Sequence, residues 1–278
     1  MNKAQWNAFC TFRSNFKNQI SIWNSQLKKQ GFSKILSDKQ KELAFADNVP
    51  DYQIETPLVY NTSLDEITQE DDIKLIVIGD NPGKDEQLIK NRRYLVGQSG
   101  KIAEGFFRRN PELGVDFRKN VIILNKTPIH TAKTKELKKL TTQSKQTANV
   151  FENSDLFKAT EYFSQLLLES QIWMAQYTAQ LHINLCKSAT DKSNRQAPCQ
   201  LWLVGYGELK NKGIFLPYAK KLKECYTSSA IADSVFVFQH FSMNRFLIDL
   251  RAHTDQNFSL TQNIENIGRI HRKEILFF

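Results

Sequence analysis

A chain of 278 residues, 41% hydrophobic and 24% charged, can bury a sizeable core and has the make-up of a globular protein, which excludes a wholly disordered or fibrous chain. No apolar run is long enough to cross a bilayer, and the amino terminus lacks the basic, apolar, small-residue succession of a secretory signal, so a cytoplasmic protein without membrane partners is expected. The formal net charge is +9, and Gly83 to Lys145 alone holds fifteen Lys and Arg against six Asp and Glu, a concentration that would draw a polyanion, although solvated helix faces give the same count.

In chain order, Trp6, Phe9, Phe16, Ile20, Trp23 and Leu27 recur at three- and four-residue spacings. They predict a long opening helix, stopped by Gly31, whose aromatic stripe covers one face of a sheet. From Asp47 to Glu70, Pro50 and Pro57 interrupt a polar stretch without period, which reads as a connecting segment. Four short apolar runs then predict buried strands: Ile73 to Ile78, Val121 to Leu124, Leu201 to Val204 and Val235 to Phe238. Near-continuous Val/Ile/Leu runs suit parallel strands covered on both faces, and the lengths between them leave room for helical crossovers. Gly100 to Arg109 and Phe151 to Gln180 read as helices, whereas Lys133 to Asn149 is basic and aperiodic and reads as a long loop or insertion.

The expected fold class is therefore α/β, a three-layer α/β/α sandwich around a central four-stranded parallel sheet, with an N-terminal helical extension. Residues 1–70 form the helix and connecting segment packed on the core, and residues 71–278 the α/β/α domain with the basic insertion near 133–149. Cys10, Cys186, Cys199 and Cys225 form no C-x-x-C pair, so neither a zinc site nor a disulfide framework is expected.

The first strand ends abruptly in Gly79-Asp80-Asn81-Pro82-Gly83, and strand carboxyl ends are where open α/β sheets place ligands. Phosphate motifs do not account for it. Gly79 to Lys84 is one residue short of a P-loop and lacks its Ser or Thr, and Gly205-Tyr206-Gly207 has Lys210 where a dinucleotide fingerprint needs a third glycine. The second strand ends at Asn125, the third at Gly205-Tyr206-Gly207 and the fourth at Gln239-His240-Phe241-Ser242. An acid, two amides and a histidine could thus meet above one sheet edge. Singly, each has a plainer reading: Asn125 as a turn cap, His240 as a packed or surface histidine.

These residues resemble the uracil-DNA glycosylase superfamily. Gly79-Asp-Asn-Pro-Gly83 is similar to its water-activating motif, and Arg93-Tyr-Leu-Val-Gly-Gln-Ser-Gly100 to the R-P-F-V-G-x-A-G segment of the thermophile-type classes. Asn120 to Asn125 resembles the strand whose terminal asparagine reads the base, Leu203-Val-Gly205 the third strand, and His240-Phe-Ser242 the His-Pro-Ser motif. The likeness spans Ile73 to Phe246 in the family's order.

The resemblance implies a monofunctional DNA glycosylase that flips uracil or a related deaminated base out of DNA and hydrolyses its N-glycosidic bond without metal or other cofactor. Asp80 or Asn81 positions water, His240 donates to the departing base and Asn125 pairs with its imide edge. Gly79, Pro82, Gly83, Tyr94 and Leu95 line the base pocket; Leu95 stands where the family has a stacking phenylalanine, and Tyr94 beside it is the candidate π-face. Ser99, Lys101, Lys126, Ser242, Met243, Asn244 and Arg245 contact DNA, with Met243 or Phe241 as the wedge in the vacated stack. Asp80 occupies the position of a glutamate in the thermophile-type classes and Asn81 that of an asparagine in the mismatch-specific and single-strand-selective ones. The cysteine spacing does not match the iron-sulfur ligand set, and no lysine is placed as an imine-forming nucleophile. A monomer acting on DNA is expected; a catalytically inactive nucleic-acid-binding protein of this fold and a small-molecule nucleosidase remain alternatives.

Overall fold

The four apolar runs become four strands of one sheet: β1 (Leu75–Gly79), β2 (Val121–Asn125), β3 (Gln200–Val204) and β4 (Val235–Phe238). They belong to a computed structural model that describes residues 1–142, 155–187, 198–227 and 229–278. All pairings are parallel and the spatial order is β2-β1-β3-β4. The chain leaves β1 toward one edge and returns to β3 on its other side, so the crevice above β1 and β3 is the topological switch point.

Strand periodicity sorts the core into two layers. Ile76, Ile78, Ile122, Leu124, Leu201, Leu203, Val235 and Val237 face one side, where α1 (Lys3–Lys29), α2 (Ser33–Ala46), α5 (Asp155–Lys187) and α7 (Leu216–Tyr226) pack. Leu75, Val77, Val121, Ile123, Trp202, Val204, Phe236 and Phe238 face the other, covered by α3 (Gln98–Arg109), α8 (Arg245–Ala252) and α9 (Leu260–Leu276). Two short helices, α4 (Lys135–Leu140) and α6 (Tyr206–Leu209), follow β2 and β3. The molecule is thus the three-layer α/β/α sandwich expected from its strands.

Three sequence expectations shift. The aromatic stripe of α1 meets a helix: Phe16 stacks on Trp173 of α5 at 5.7 Å between ring centroids, and Trp23 meets the same indole edge-on at 6.0 Å. Such a stripe says only that one face is buried, and α5, 33 residues long, is the element that covers it. The helix expected over Phe151 to Gln180 runs on to Lys187; it is described from Asp155, and residues 151–154 lie outside the described residues.

The basic stretch after β2 is not loop throughout. Lys135–Leu140 is helical because Leu137 and Leu140, one turn apart, are both buried in the core. Two apolar residues are too few to register as a period. Lys135 and Lys139 pair with Asp47 at the end of α2, at 2.9 and 3.0 Å, and fasten α4 there. Residues 143–149 of the expected insertion lie outside the described residues. All four cysteines are free, and among the described residues no helix is long and apolar enough to cross a membrane.

Candidate active site

At the carboxyl ends of the strands lies a cavity of about 490 Å³, walled by Asp80, Asn81, Gly83, Glu86, Leu95, Asn125, Gly205, Gln239 and His240, with Ser99, Lys133, Lys135, Ser242, Met243 and Arg245 among its further residues. It stands over the switch point between β1 and β3.

One ammonium ties its floor together. Lys126, fully buried, donates to Asp80 Oδ1 at 2.6 Å, to the Val204 carbonyl at 2.5 Å and to the Gly79 carbonyl at 3.2 Å. Its own backbone follows directly on β2, so a single side chain links the ends of β1, β2 and β3. Burial pulls its pKa down while the Asp80 carboxylate beside it pulls upward. Three acceptors around one nitrogen match the three donors of an ammonium, whereas a neutral amine would leave one acceptor unmet. The Phe215 ring, 4.9 Å away, closes the remaining side.

Two glycines make this close packing possible. Gly205 sits at φ +94°, and a Cβ there would lie 2.3 Å from Asp80 Oδ1. A Cβ on Gly79 would lie 2.4 Å from Asn125 Oδ1, its register partner on β2.

The turn after β1 is held from behind. The Pro82 carbonyl accepts from the His130 ring at 2.9 Å and from the Thr131 N–H at 3.2 Å. Tyr52 donates its hydroxyl to the other ring nitrogen of His130 at 2.8 Å, so the buried imidazole serves as a neutral pin, its pKa lowered by burial to about 4. Asn81 donates its amide to the Thr131 hydroxyl at 2.9 Å, leaving its Oδ1 as an acceptor beside the cavity. Asp80 Oδ2 receives, among the described residues, only a long contact from Thr134, at 3.3 Å.

On the far wall His240 Nδ1 accepts from the Ser242 backbone N–H at 3.1 Å and the Ser242 hydroxyl at 2.8 Å. A nitrogen that accepts a backbone N–H carries no proton, so the neutral ring bears its proton on Nε2. Burial lowers the His240 pKa, Asp80 opposes the shift, and Lys126 and Arg245 add to it; the ring is held neutral and remains a donor. Asn125 is buried, and its Nδ2 has no hydrogen-bond partner. Among the unpartnered buried polar side-chain atoms of the described residues, it alone belongs to a residue lining this cavity.

Asp80, Asn81, Gly83, Leu95, Ser99, Asn125, His240, Ser242, Met243 and Arg245 are thus brought together as expected. Others are not. Tyr94 is fully buried and donates its hydroxyl to the Val59 carbonyl at 2.6 Å, so it is a core residue and supplies no π-face to the cavity. Lys126 cannot reach DNA, because the Asp80 pair and two carbonyls hold it inside. Phe241 is buried against Phe246 at 5.1 Å, which leaves Met243, 67% exposed, as the available wedge. Gly79 and Pro82 shape the site without lining it, Asn244 is the exposed cap residue of α8, and Lys101 is exposed on α3 outside the cavity wall.

Sequence reasoning missed Glu86, buried in the wall with its pKa pushed up to about 7 by burial, and also Thr131 and Thr134. Lys126 was read as a DNA contact, although it directly follows a strand that reads as core. No local signal marks Glu86. The basic segment is also less free than its count implies. Arg93 pairs with Glu66, Arg118 with Glu104, Lys84 with Asp85, and Lys135 and Lys139 with Asp47, besides Lys126 with Asp80.

A second cavity, about 370 Å³, opens at the amino ends of β1 and β3 between Phe107, Leu113, Val115, Trp202 and Ile264. Among the described residues no His, Cys, Asp and Glu side chains gather in a group of three or more able to hold a metal ion. Compared with known proteins, the chain matches no family model, no curated protein and no solved structure. The functional reading rests on the site's own chemistry.

Proposed function

We propose that the chain is a monofunctional DNA glycosylase that hydrolyses the N-glycosidic bond of uracil or a related deaminated base. The observation that carries the reading is the unpartnered Nδ2 of buried Asn125, which shares one cavity with a neutral histidine donor. An orphaned buried donor costs roughly 1–3 kcal/mol, a cost that a ligand carbonyl would remove once the Asn125 side chain turns its Nδ2 toward the cavity. A deaminated base offers carbonyl oxygens and an N–H on one edge, matched by the amide of Asn125.

Departure of the base develops negative charge on it and positive charge on the sugar. His240 donates from Nε2 to a base oxygen, a type of contact worth roughly 3 kcal/mol in related oxyanion sites. A neutral imidazole does this without adding a buried cation. Asn81, anchored through its amide to Thr131, presents a fixed Oδ1 to the attacking water. Asp80 assists, but its charge is largely spent on Lys126.

Extrusion of a base needs something to fill its place. Met243 and Asn244 are consecutive non-glycine residues in the left-handed region, at φ 53° and 56°, on an exposed loop beside the cavity. Backbone strain of this kind persists at functional sites at a cost of roughly 1–3 kcal/mol per residue. Arg245 follows at the rim and supports the opened strand.

The test is release of free base from single- and double-stranded oligonucleotides carrying uracil, hypoxanthine or xanthine. His240→Ala and Asn81→Ala are expected to lower the single-turnover rate by about a hundredfold or more, and Asp80→Ala by less. Salt-sensitive DNA binding without base release from any substrate would leave a binding protein, and hydrolysis of free nucleosides with indifference to DNA would leave a nucleosidase.

A further inference from the structure

Glu86, an acid of the cavity wall, has no part in the scheme above. Glu86 is 7% exposed and divides its two oxygens between the two loops that build the site. Oε2 accepts the Gly83 N–H at 3.3 Å, and Oε1 accepts the Leu95 N–H at 2.9 Å. Gly83 closes the turn that carries Asp80 and Asn81. Leu95 forms the apolar wall of the same cavity, held at φ 53°, a costly conformation for a leucine. Such a conformation lasts only where its surroundings hold it on both sides. Glu86 holds the Leu95 N–H and Arg118 holds its carbonyl, at 2.8 Å.

We propose that Glu86 is a positioning residue whose ionised carboxylate keeps the Asp80–Asn81 turn and the Leu95 wall in register. For the reaction it influences, the inference rests on the glycosylase reading; the clamp itself does not. Charge-assisted bonds to N–H groups are roughly twice as strong as neutral ones, so loss of the charge loosens both loops together.

The surroundings place that loss within a working pH range. Burial raises the pKa of Glu86 to about 7; the Gly83 and Leu95 N–H groups pull it down, neighbouring Asp85 pushes it up and Arg118 pulls it down. The Tyr94 phenol lies on the same loop as Leu95, and Asp80, Lys133, Lys135, Glu208, His240 and Arg245 are the charged or titratable groups on the other walls of the cavity. Because the folded pKa lies above the ordinary 4.5, the contribution of Glu86 to stability declines as pH rises from about 4.5 to about 7 and is level above that. The clamp runs the other way, being complete only above about 7. Activity and stability therefore respond to this one proton with opposite sign.

The full chain is examined by NMR through the Gly83 and Leu95 backbone amides, and in parallel by single-turnover release of uracil from an oligonucleotide across neutrality. Both amides are expected to titrate together with a midpoint near 7, and the rate to rise through the same midpoint. Glu86→Gln abolishes that titration and lowers the rate on the order of tenfold to a hundredfold, the scale of a small misplacement of reacting groups. Glu86→Asp, which keeps the charge, recovers part of the rate above neutrality. Amides that do not move in the wild type, or an unchanged rate profile in Glu86→Gln, overturn the proposal. If no base is released while the amides still titrate together, the glycosylase reading falls and the clamp stands.

Discussion

The sheet has a cavity at each end, and the two are built on opposite terms. At the amino ends of β1 and β3 the walls are largely apolar side chains. Trp202 donates its indole N–H to Gln200 at 2.9 Å, Lys74 donates to the Gly114 carbonyl at 2.7 Å, and among the described residues no unpartnered buried polar side-chain atom belongs to this lining. At the carboxyl ends a buried ion pair, a neutral histidine, an orphaned amide and left-handed Leu95 and Met243 crowd into one space. The lining residues of one end carry no unpartnered buried polar atom and no left-handed backbone, and those of the other carry both. Concavity alone would rank the two alike, whereas accumulated local cost separates them, because such cost persists where something outside the fold repays it.

The contrast can be broken most forcefully at Lys126. Lys126→Met leaves the Asp80 carboxylate buried and unpaired, and is expected to cost about 4 kcal/mol. Trp202→Ala at the other end is expected to cost a similar amount, about 4 kcal/mol, by opening a void against Phe107 and Phe238. Denaturant titration gives both losses. Their rates of base release, measured where both variants remain folded, should then part: Trp202→Ala keeps the wild-type rate and Lys126→Met does not. Equal rates would mean that the ion pair is only part of the scaffold.

Gly205 gives the next effect. Gly205→Ala meets both a left-handed backbone and a 2.3 Å approach to Asp80 Oδ1, and is expected to cost about 3 kcal/mol. Gly207→Ala, two residues on, meets nothing within 4 Å and should change stability by less than about 0.5 kcal/mol. Equal melting temperatures for the two would refute the tight Gly205–Asp80–Lys126 packing.

The same contrast explains what could be read from the sequence. Strands and layers were legible because Val, Ile and Leu runs report burial directly, and all four strands lie where those runs do. Asp80, Asn81, Asn125 and His240 were legible because each ends a strand, and parallel strands bring their ends together. Tyr94 was misplaced because adjacent residues face different ways here, Leu95 lining the cavity while the Tyr94 hydroxyl reaches the Val59 carbonyl, which no sequence spacing encodes. Lys126 was counted among cations facing DNA because charge suggests exposure, whereas its stem continues a buried strand. Glu86 escaped notice because it joins Gly83 to Leu95 through two backbone N–H groups, and backbone partners leave no mark on residue type.

A smaller effect on stability, with a large one on rate, is expected at Asn125. Asn125→Ala removes an unpartnered donor, so stability should change by no more than about 1 kcal/mol, and upward as readily as downward. Base release should fall by about a hundredfold, because the amide is then missing where the base edge lies. A large loss of stability with an intact rate would make Asn125 a scaffold residue.

The smallest effect separates wedge from scaffold. Met243 is 67% exposed at φ 53°, so its side chain contributes little to the fold while its backbone is strained. Met243→Gly relieves the left-handed strain, by roughly 1 kcal/mol, but gives the unfolded chain a comparable freedom, and the net change should stay within about 0.5 kcal/mol. Release of uracil from single strands should be nearly unchanged, since no stack has to be filled. Release from duplex should fall about tenfold, a loss of the size expected when a vacated base step has nothing to occupy it. Equal losses on both substrates would mean that Met243 acts on the cavity itself, and an unaffected duplex rate would leave the strain of Met243 and Asn244 without a function.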